Sequence, residues 1–63
     1  MKDPTNIERQ ITCVKRELSM RKRVYPNWVK NGRMKEDKSK EEIEAMGAVL
    51  ETLLWVEDYL KPA

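Results

Sequence analysis

The stretch YPNWVKNG at residues 25–32 separates two segments whose apolar residues recur with the period of an amphipathic helix. Proline disfavours helical backbone at the residue before it, and an Asn-Gly pair commonly ends a helix. We therefore predict helix one over about residues 4–24, a short helical elbow over about 25–35, and helix two over about 36–60. The predicted fold is an all-α antiparallel helical hairpin, with residues 1–63 forming a single helical domain.

Capping residues indicate where each helix begins. Asp3 before Pro4 is typical of an N-cap followed by the first helical residue, since proline has no amide hydrogen to leave unsatisfied. Helix two is predicted to begin at Glu36. Alternative starts are provided by two possible capping boxes, Thr5 with Glu8 and Ser39 with Glu42.

The apolar surface predicted for helix two is wider than that of helix one. The narrow stripe on helix one comprises Ile7, Ile11, Val14 and Leu18. The arc on helix two covers nearly half the circumference and comprises Ile43, Met46, Val49, Leu50, Leu53, Leu54, Val56 and Leu60. One facing helix covers a stripe of about 100°, so part of the wider arc stays uncovered in a monomer. The closed end of the hairpin is predicted to be filled by Val24, Trp28, Val29 and Met34.

Helix length is a second argument for self-association. If the elbow centres near residue 30, Leu18 lies opposite Ile43 and Ile7 lies near Leu53. Four apolar residues would then extend past the start of helix one: Trp55, Val56, Tyr59 and Leu60. We predict a homodimer in which two hairpins form a four-helix bundle, because that arrangement covers both the surplus arc and the overhang. The candidate dimer interface is Val49, Leu53, Trp55, Val56, Tyr59 and Leu60; the alternative is a frayed, partly exposed carboxyl end.

Charge is unevenly distributed, although the net charge is only +2. Residues 15–35 carry eight cations and one acid, whereas residues 36–63 carry three lysines and eight acids. A concentrated basic segment favours polyanion binding, because phosphate contacts dominate nucleic-acid affinity and aromatic rings stack on bases. The candidate polyanion-binding residues are Arg21, Lys22, Arg23, Lys30, Arg33 and Lys35, with Tyr25 and Trp28 available for stacking.

The interpretation that we prefer for these cations is a solvated basic face. On helix one, the face opposite the apolar stripe carries Arg9, Lys15, Arg16, Lys22 and Arg23. Acids of helix two that would balance this charge are Glu41, Glu42, Glu44 and Glu51, in pairs that stabilise weakly and set orientation. Nucleic-acid binding is further disfavoured because no helix-turn-helix pattern is evident and the acidic helix would repel phosphates.

Catalysis and metal binding are not expected. The chain has no histidine, the single Cys13 is isolated from any candidate base, and no glycine-rich phosphate loop is present. We predict that the protein is not an enzyme and takes no metal, cofactor or small-molecule substrate. Cys13 is predicted to be a buried or half-buried, reduced thiol. No apolar run is long enough to span a bilayer, which favours a cytoplasmic protein without a membrane partner.

The segment RELSMRKRVYPNWVKNGRM at residues 16–34, followed by EIEAM at 42–46, resembles a family of small helical phage and prophage proteins. The Arg-Val-Tyr-Pro-x-Trp-Val core carries the resemblance, which covers about residues 7–54. Within that family the chain is similar to the short open-reading-frame proteins of the lambdoid early region, between the exonuclease and excisionase genes. The resemblance implies an early accessory factor that binds a host or phage protein in the host cytoplasm and adjusts development. The chain departs from this pattern at Lys35, where the family has a small hydroxyl cap.

Overall fold

The computed structural model describes residues 5–61, which form two antiparallel α-helices. Helix α1 spans Ile7–Lys30 and helix α2 spans Glu36–Leu60, and the two helices pack against each other. The hairpin measures 48 × 15 × 14 Å. The predicted all-α helical hairpin is confirmed, and α2 has the range that the sequence pattern predicts.

Helix α1 continues through Pro26 and ends at Lys30, so the predicted end at residue 24 and the separate helical elbow are wrong. The exposed proline removes one backbone hydrogen bond, at a cost of roughly 3 kcal/mol in a helix interior. The last turn of α1 offsets this cost, because Val29 is half-buried there and two aromatic rings stack on each other. The connection between the helices is therefore only residues 31–35.

A hydrogen-bonded cap ends α1 and turns the chain. Gly32 has a φ of 76°, and its N–H donates to the Val29 carbonyl at 3.1 Å. The Arg33 N–H donates to the Trp28 carbonyl at 2.8 Å. These two bonds form a Schellman motif, whose left-handed residue is usually glycine because a Cβ is unfavourable there. The helix-ending role predicted for Asn31 and Gly32 is confirmed.

Helix α1 begins three residues later than predicted. Its N-cap is Asn6, which has a left-handed φ of 51° and makes no side-chain cap hydrogen bond. Asparagine tolerates this conformation better than most residues, and its carbonyl accepts the Gln10 N–H at 3.1 Å. Asn6 thus replaces Thr5 as the cap. The predicted cap at Asp3 and Pro4 lies outside the described residues.

Helix α2 begins at the earlier of the two predicted positions. Ser39 lies in its first turn, where it is buried and its N–H donates to the Lys35 carbonyl at 3.0 Å. A start at Ser39 would leave this bond unmade, so the alternative capping box with Glu42 is not used. Lys35 is the N-cap of α2 and makes no side-chain cap hydrogen bond.

The interface between the helices is thin. Within residues 5–61 the buried apolar residues are Ile7 and Ile11, which are 7% and 5% exposed, and no side chain falls below 2%. Most other residues of the predicted apolar stripe and arc are half-buried: Val14, Leu18, Ile43, Met46, Leu50, Leu53, Leu54 and Val56. The predicted closed end has the same character, with Val24, Val29 and Met34 half-buried. Two helices alone therefore leave most of their apolar side chains partly in contact with water.

The longer α1 also changes the register. Arg21 contacts Glu42 across the hairpin, and the same antiparallel register places Ile7 level with Val56. The predicted pairing of Ile7 with Leu53 is displaced by about one turn, because the Arg21–Glu42 contact centres the pairing between residues 31 and 32 instead of at 30. The predicted overhang is therefore wrong for Trp55 and Val56, whereas Tyr59 and Leu60 still extend past Ile7, the first residue of α1. Trp55 lies within the paired length and is exposed because it points away from α1.

Candidate interaction surfaces

The polar contacts between the helices converge on Arg21. Its Nε donates to Glu17 Oε1 at 3.0 Å, and its Nη1 donates to the Glu42 carbonyl at 2.9 Å. The Glu42 carboxylate lies 3.5 Å from the same Nη1 and 2.9 Å from Lys38 Nζ. The Arg21 guanidinium also lies over the Tyr25 ring, 5.7 Å from its centroid. Arg21 is therefore engaged within the hairpin, with its side chain 17% exposed.

This network shifts the ionisation of its members in the direction that favours charge. The hydrogen bond that Arg21 donates to Glu17, together with the negative charge of Glu17, raises the pKa of Arg21. The hydrogen bond from Lys38, followed by the charges of Lys38 and Arg21, lowers the pKa of Glu42. Glu42 in turn raises the pKa of Lys38. All three groups are charged at neutral pH, so the contacts between the helices are full ion pairs.

The structure divides the predicted polyanion-binding residues into two groups. Tyr25 and Trp28 stack on each other, with centroids 5.4 Å apart and planes inclined by 27°, next to the engaged Arg21. Their rings pack within the hairpin surface, although Trp28 remains 37% exposed. The remaining candidates are exposed: Lys22, Arg23, Lys30, Arg33 and Lys35. Of the acids predicted to balance the basic face, Glu42 is the one that forms ion pairs within residues 5–61.

One broad side of the hairpin is apolar. An open groove of about 420 Å³ runs between the amino-terminal half of α1 and the carboxyl-terminal half of α2. Its lining is Thr5, Asn6, Arg9, Gln10, Cys13, Val14, Val49 and Leu53. On α2 the groove residues continue at helical spacings of four, three and four residues as Val49, Leu53, Val56 and Leu60. We call the groove and this row of four residues the apolar side.

The opposite broad side is charged. On α2 it carries Glu44, Glu51 and Asp58, which follow one another at seven-residue intervals and are all exposed. On α1 the same side carries Lys15 and Lys22, which are also exposed. These five residues define the charged side. No ion pair forms among them, so their charges are hydrated.

The predicted dimer interface falls mainly on the apolar side. Val49 and Leu60 are 44% and 49% exposed, and Leu53 and Val56 are half-buried. Trp55 and Tyr59 are 76% and 85% exposed and lie farther around α2, facing away from α1. The structure therefore brings Val49, Leu53, Val56 and Leu60 together on the apolar side, whereas Trp55 lies apart from them, next to Glu51 and Asp58 on the helix surface. The homodimer itself stays a prediction.

The hairpin exposes more surface than its size requires. Its accessible area is 5474 Å², whereas a compact protein of 7.5 kDa exposes roughly 4,250 Å². The excess of roughly 1,200 Å² is larger than the roughly 800 Å² that each partner buries in an interface of standard size. The elongated shape and the apolar side both contribute to this excess.

Cys13 is exposed, so its prediction as a buried or half-buried thiol is wrong. It follows Ile11 by two residues, and that spacing turns it away from the helix contact toward the groove. The sequence did contain this signal, since Cys13 does not belong to the stripe of Ile7, Ile11, Val14 and Leu18.

No family model matches the chain, and comparisons with curated proteins and with solved structures give no significant match. Within residues 5–61, neither helix has the length and apolar character needed to cross a membrane. The same residues contain no group of three or more Cys, Asp and Glu side chains placed to hold a metal ion. The candidate interaction surfaces of residues 5–61 are therefore the apolar side, the charged side and the exposed cations.

Proposed function

We propose that the protein is a non-catalytic homodimeric interaction protein whose apolar side pairs with the apolar side of a second copy. The excess exposed area of roughly 1,200 Å² is the observation that carries this proposal. In the dimer, the rows formed by Val49, Leu53, Val56 and Leu60 pack together in a four-helix bundle. The spacing of this row is that of a helix-packing seam.

A second copy is favoured over an unrelated partner by the composition of the apolar side. Seven of the eight groove-lining residues are uncharged, and Arg9 is the single charged one. Such a surface is self-complementary, since two-fold pairing places uncharged side chains against each other without a buried, unpaired charge. Trp55 and Tyr59 would lie at the rim of this interface, because they face away from α1.

Sedimentation equilibrium on matched variants tests the dimer. The Val49→Lys/Leu60→Lys variant places two ammonium groups on the apolar side, at positions exposed in the single chain. The Glu51→Lys/Asp58→Lys variant places the same residues on the charged side of the same helix. We expect a dimeric wild type, a dimeric charged-side variant, and an apolar-side variant that is monomeric but helical by circular dichroism. A wild type that is monomeric and folded, or equal dissociation of both variants, would contradict the proposal.

We further propose that the dimer acts as a phage or prophage accessory protein by binding a host or phage protein. The resemblance of residues 16–34 to short phage proteins supports this role, and the charged side stays exposed in the dimer for such contacts. Affinity capture from phage-infected bacteria, followed by mass spectrometry, tests it. A reproducible partner absent from control resin is expected, and its absence across infected and uninfected cells would contradict the accessory role.

A further inference from the structure

The outward face of α1 carries a row of unneutralised cations. Arg9, Arg16, Arg23 and Lys30 follow one another at intervals of seven residues, and all four are exposed. Seven residues advance an α-helix by about 10.5 Å and drift by about 20°, so the row is about 31 Å long and winds by about 60° around the helix axis. We call these four residues the basic row.

Nothing within α1 neutralises the basic row. The helical neighbours three and four residues away from its members are all uncharged: Thr12, Cys13, Ser19, Met20, Pro26 and Asn27. Ion pairs at these spacings are therefore impossible, and no member pairs with an acid of α2 among residues 5–61. Arg21 shows the contrast, because Glu17 precedes it by four residues and binds it.

We propose that the basic row binds the phosphate backbone of double-stranded DNA without reading its sequence. Its length is close to the roughly 34 Å of one B-DNA turn, so four cations spaced along it can reach phosphates over a full turn. The acids of α2 do not oppose this contact, since the row faces away from α2. The apolar side is separate from the row, except that Arg9 borders the groove.

Single-stranded nucleic acid fits the row less well. Proteins that bind single strands without sequence preference combine cations with aromatic rings on which bases stack. The basic row contains no aromatic residue, and Tyr25 and Trp28 stack on each other at a different face of α1. The basic row can therefore contact phosphates but cannot stack on bases. A duplex presents phosphates more densely than a single strand does, with one charge per roughly 1.7 Å of axis.

Fluorescence anisotropy with a labelled duplex, measured over a series of salt concentrations, tests the proposal. Four phosphate contacts predict a slope of log affinity against log salt of about −3.6. The Arg16→Gln/Arg23→Gln/Lys30→Gln variant should bind at least tenfold more weakly at low salt, with a slope smaller by about three. Arg9 is left in place, so that the groove is unchanged.

The matched control removes the same charge elsewhere. Lys15→Gln/Lys22→Gln/Lys40→Gln also lowers the net charge by three at exposed positions, but outside the basic row. We expect this variant to retain most of the duplex affinity. Equal losses in both variants would show attraction by net charge alone and overturn the proposal. Three other outcomes would also overturn the proposal. The protein could fail to bind duplex at low salt, it could prefer a single strand of the same length, or it could bind anionic vesicles and not duplex.

The substituted residues Arg16, Arg23 and Lys30 lie outside the apolar side. Their effect on DNA binding is therefore independent of the proposed dimer. Sedimentation of the Arg16→Gln/Arg23→Gln/Lys30→Gln variant should give the same association state as wild type. A loss of DNA binding together with a loss of association would contradict the separation of the two surfaces.

Discussion

The two broad sides of the hairpin differ in how they meet water. On the charged side, Glu44, Glu51 and Asp58 are hydrated and need no partner. On the apolar side, Val49 and Leu60 remain nearly half exposed beside an open groove. The same two helices produce both sides, so the contrast shows that a helix pair can bury one stripe only. Between the two sides lies the thin core, which carries most of the stability of the single chain.

The largest effect is expected from truncating that core. Ile11→Ala removes most of one of the two buried apolar side chains, and such truncations cost about 2–5 kcal/mol. A hairpin of 63 residues has little stability in reserve, so we expect the variant to be largely unfolded at 25 °C. Urea denaturation followed by circular dichroism measures the change.

Thr12→Ala is the control for this truncation, because Thr12 is the exposed neighbour whose hydroxyl donates to the Glu8 carbonyl. Its free energy of unfolding should change by less than about 0.5 kcal/mol. An Ile11→Ala protein as stable as the Thr12→Ala protein would show that the core lies elsewhere.

The next largest effect is expected at the apolar side, where dimer formation makes stability depend on protein concentration. Each tenfold increase in protein concentration favours a dimer by about 1.4 kcal/mol. We expect the melting temperature of the wild type to rise by about 5 °C per tenfold increase. The Val49→Lys/Leu60→Lys variant should melt at a temperature independent of concentration, and a wild type that does the same would remove the distinction between the two sides.

A smaller effect is expected from the ion-pair network. Arg21→Met removes the hydrogen bonds to Glu17 and to the Glu42 carbonyl while keeping much of the aliphatic volume. Hydrogen bonds to charged groups contribute about 1.5–3 kcal/mol when buried, and partial exposure reduces this to about 1–2 kcal/mol here. Denaturant unfolding at neutral pH measures the loss.

Arg23→Met is the matched control, since Arg23 is exposed and has no ion pair among the described residues. Its free energy of unfolding should be close to that of wild type. If both methionine variants were equally destabilised, the network would have no stabilising role beyond helix propensity.

The smallest effect concerns pH. The pKa of Glu42 is lowered in the folded state by Lys38 and then by Arg21, so its ionised form stabilises the fold. This contribution is fully present above the unfolded pKa of about 4.3. It is lost as the pH falls through the lower folded pKa, because protonated Glu42 no longer pairs with the cations.

Glu42→Gln isolates that contribution. We expect wild type to be the more stable of the two at neutral pH, with the difference disappearing in acid. Thermal unfolding of both proteins across the acidic range measures this difference in stability. If the difference stays constant with pH, its cause is packing and not the ionisation of Glu42.

Local sequence patterns were sufficient for part of the fold. The stripe from Ile7 to Leu18 and the arc on α2 predicted two antiparallel helices, and Asn31-Gly32 correctly predicted where helical backbone stops before the turn. These predictions are correct because helical periodicity and a positive φ depend on only a few neighbouring residues. Pro26 was misjudged, because its local cost is offset by contacts at the end of α1.

The candidate surfaces were predictable to a lesser degree. The apolar side follows from the width of the α2 arc, and the seven-residue spacing of Arg9, Arg16, Arg23 and Lys30 is visible in the sequence. The engagement of Arg21 with Glu42 was not visible, because Glu42 lies 21 residues away and is brought near by the turn. Arg21 and Arg23 have the same charge. Glu17 lies four residues before Arg21 and is a local partner visible in the sequence, but the contact with Glu42 depends on the position of α2.

By itself, the sequence determined the helical class, the range of α2, the position of the turn signal and the uneven distribution of charge. These depend on residue type and short-range spacing. Only the tertiary structure decided the register, the exposure of Trp55, the ion pair of Arg21 with Glu42 and the thinness of the core. Such features depend on where the second helix lies, and that position is set by the balance of packing over the whole hairpin.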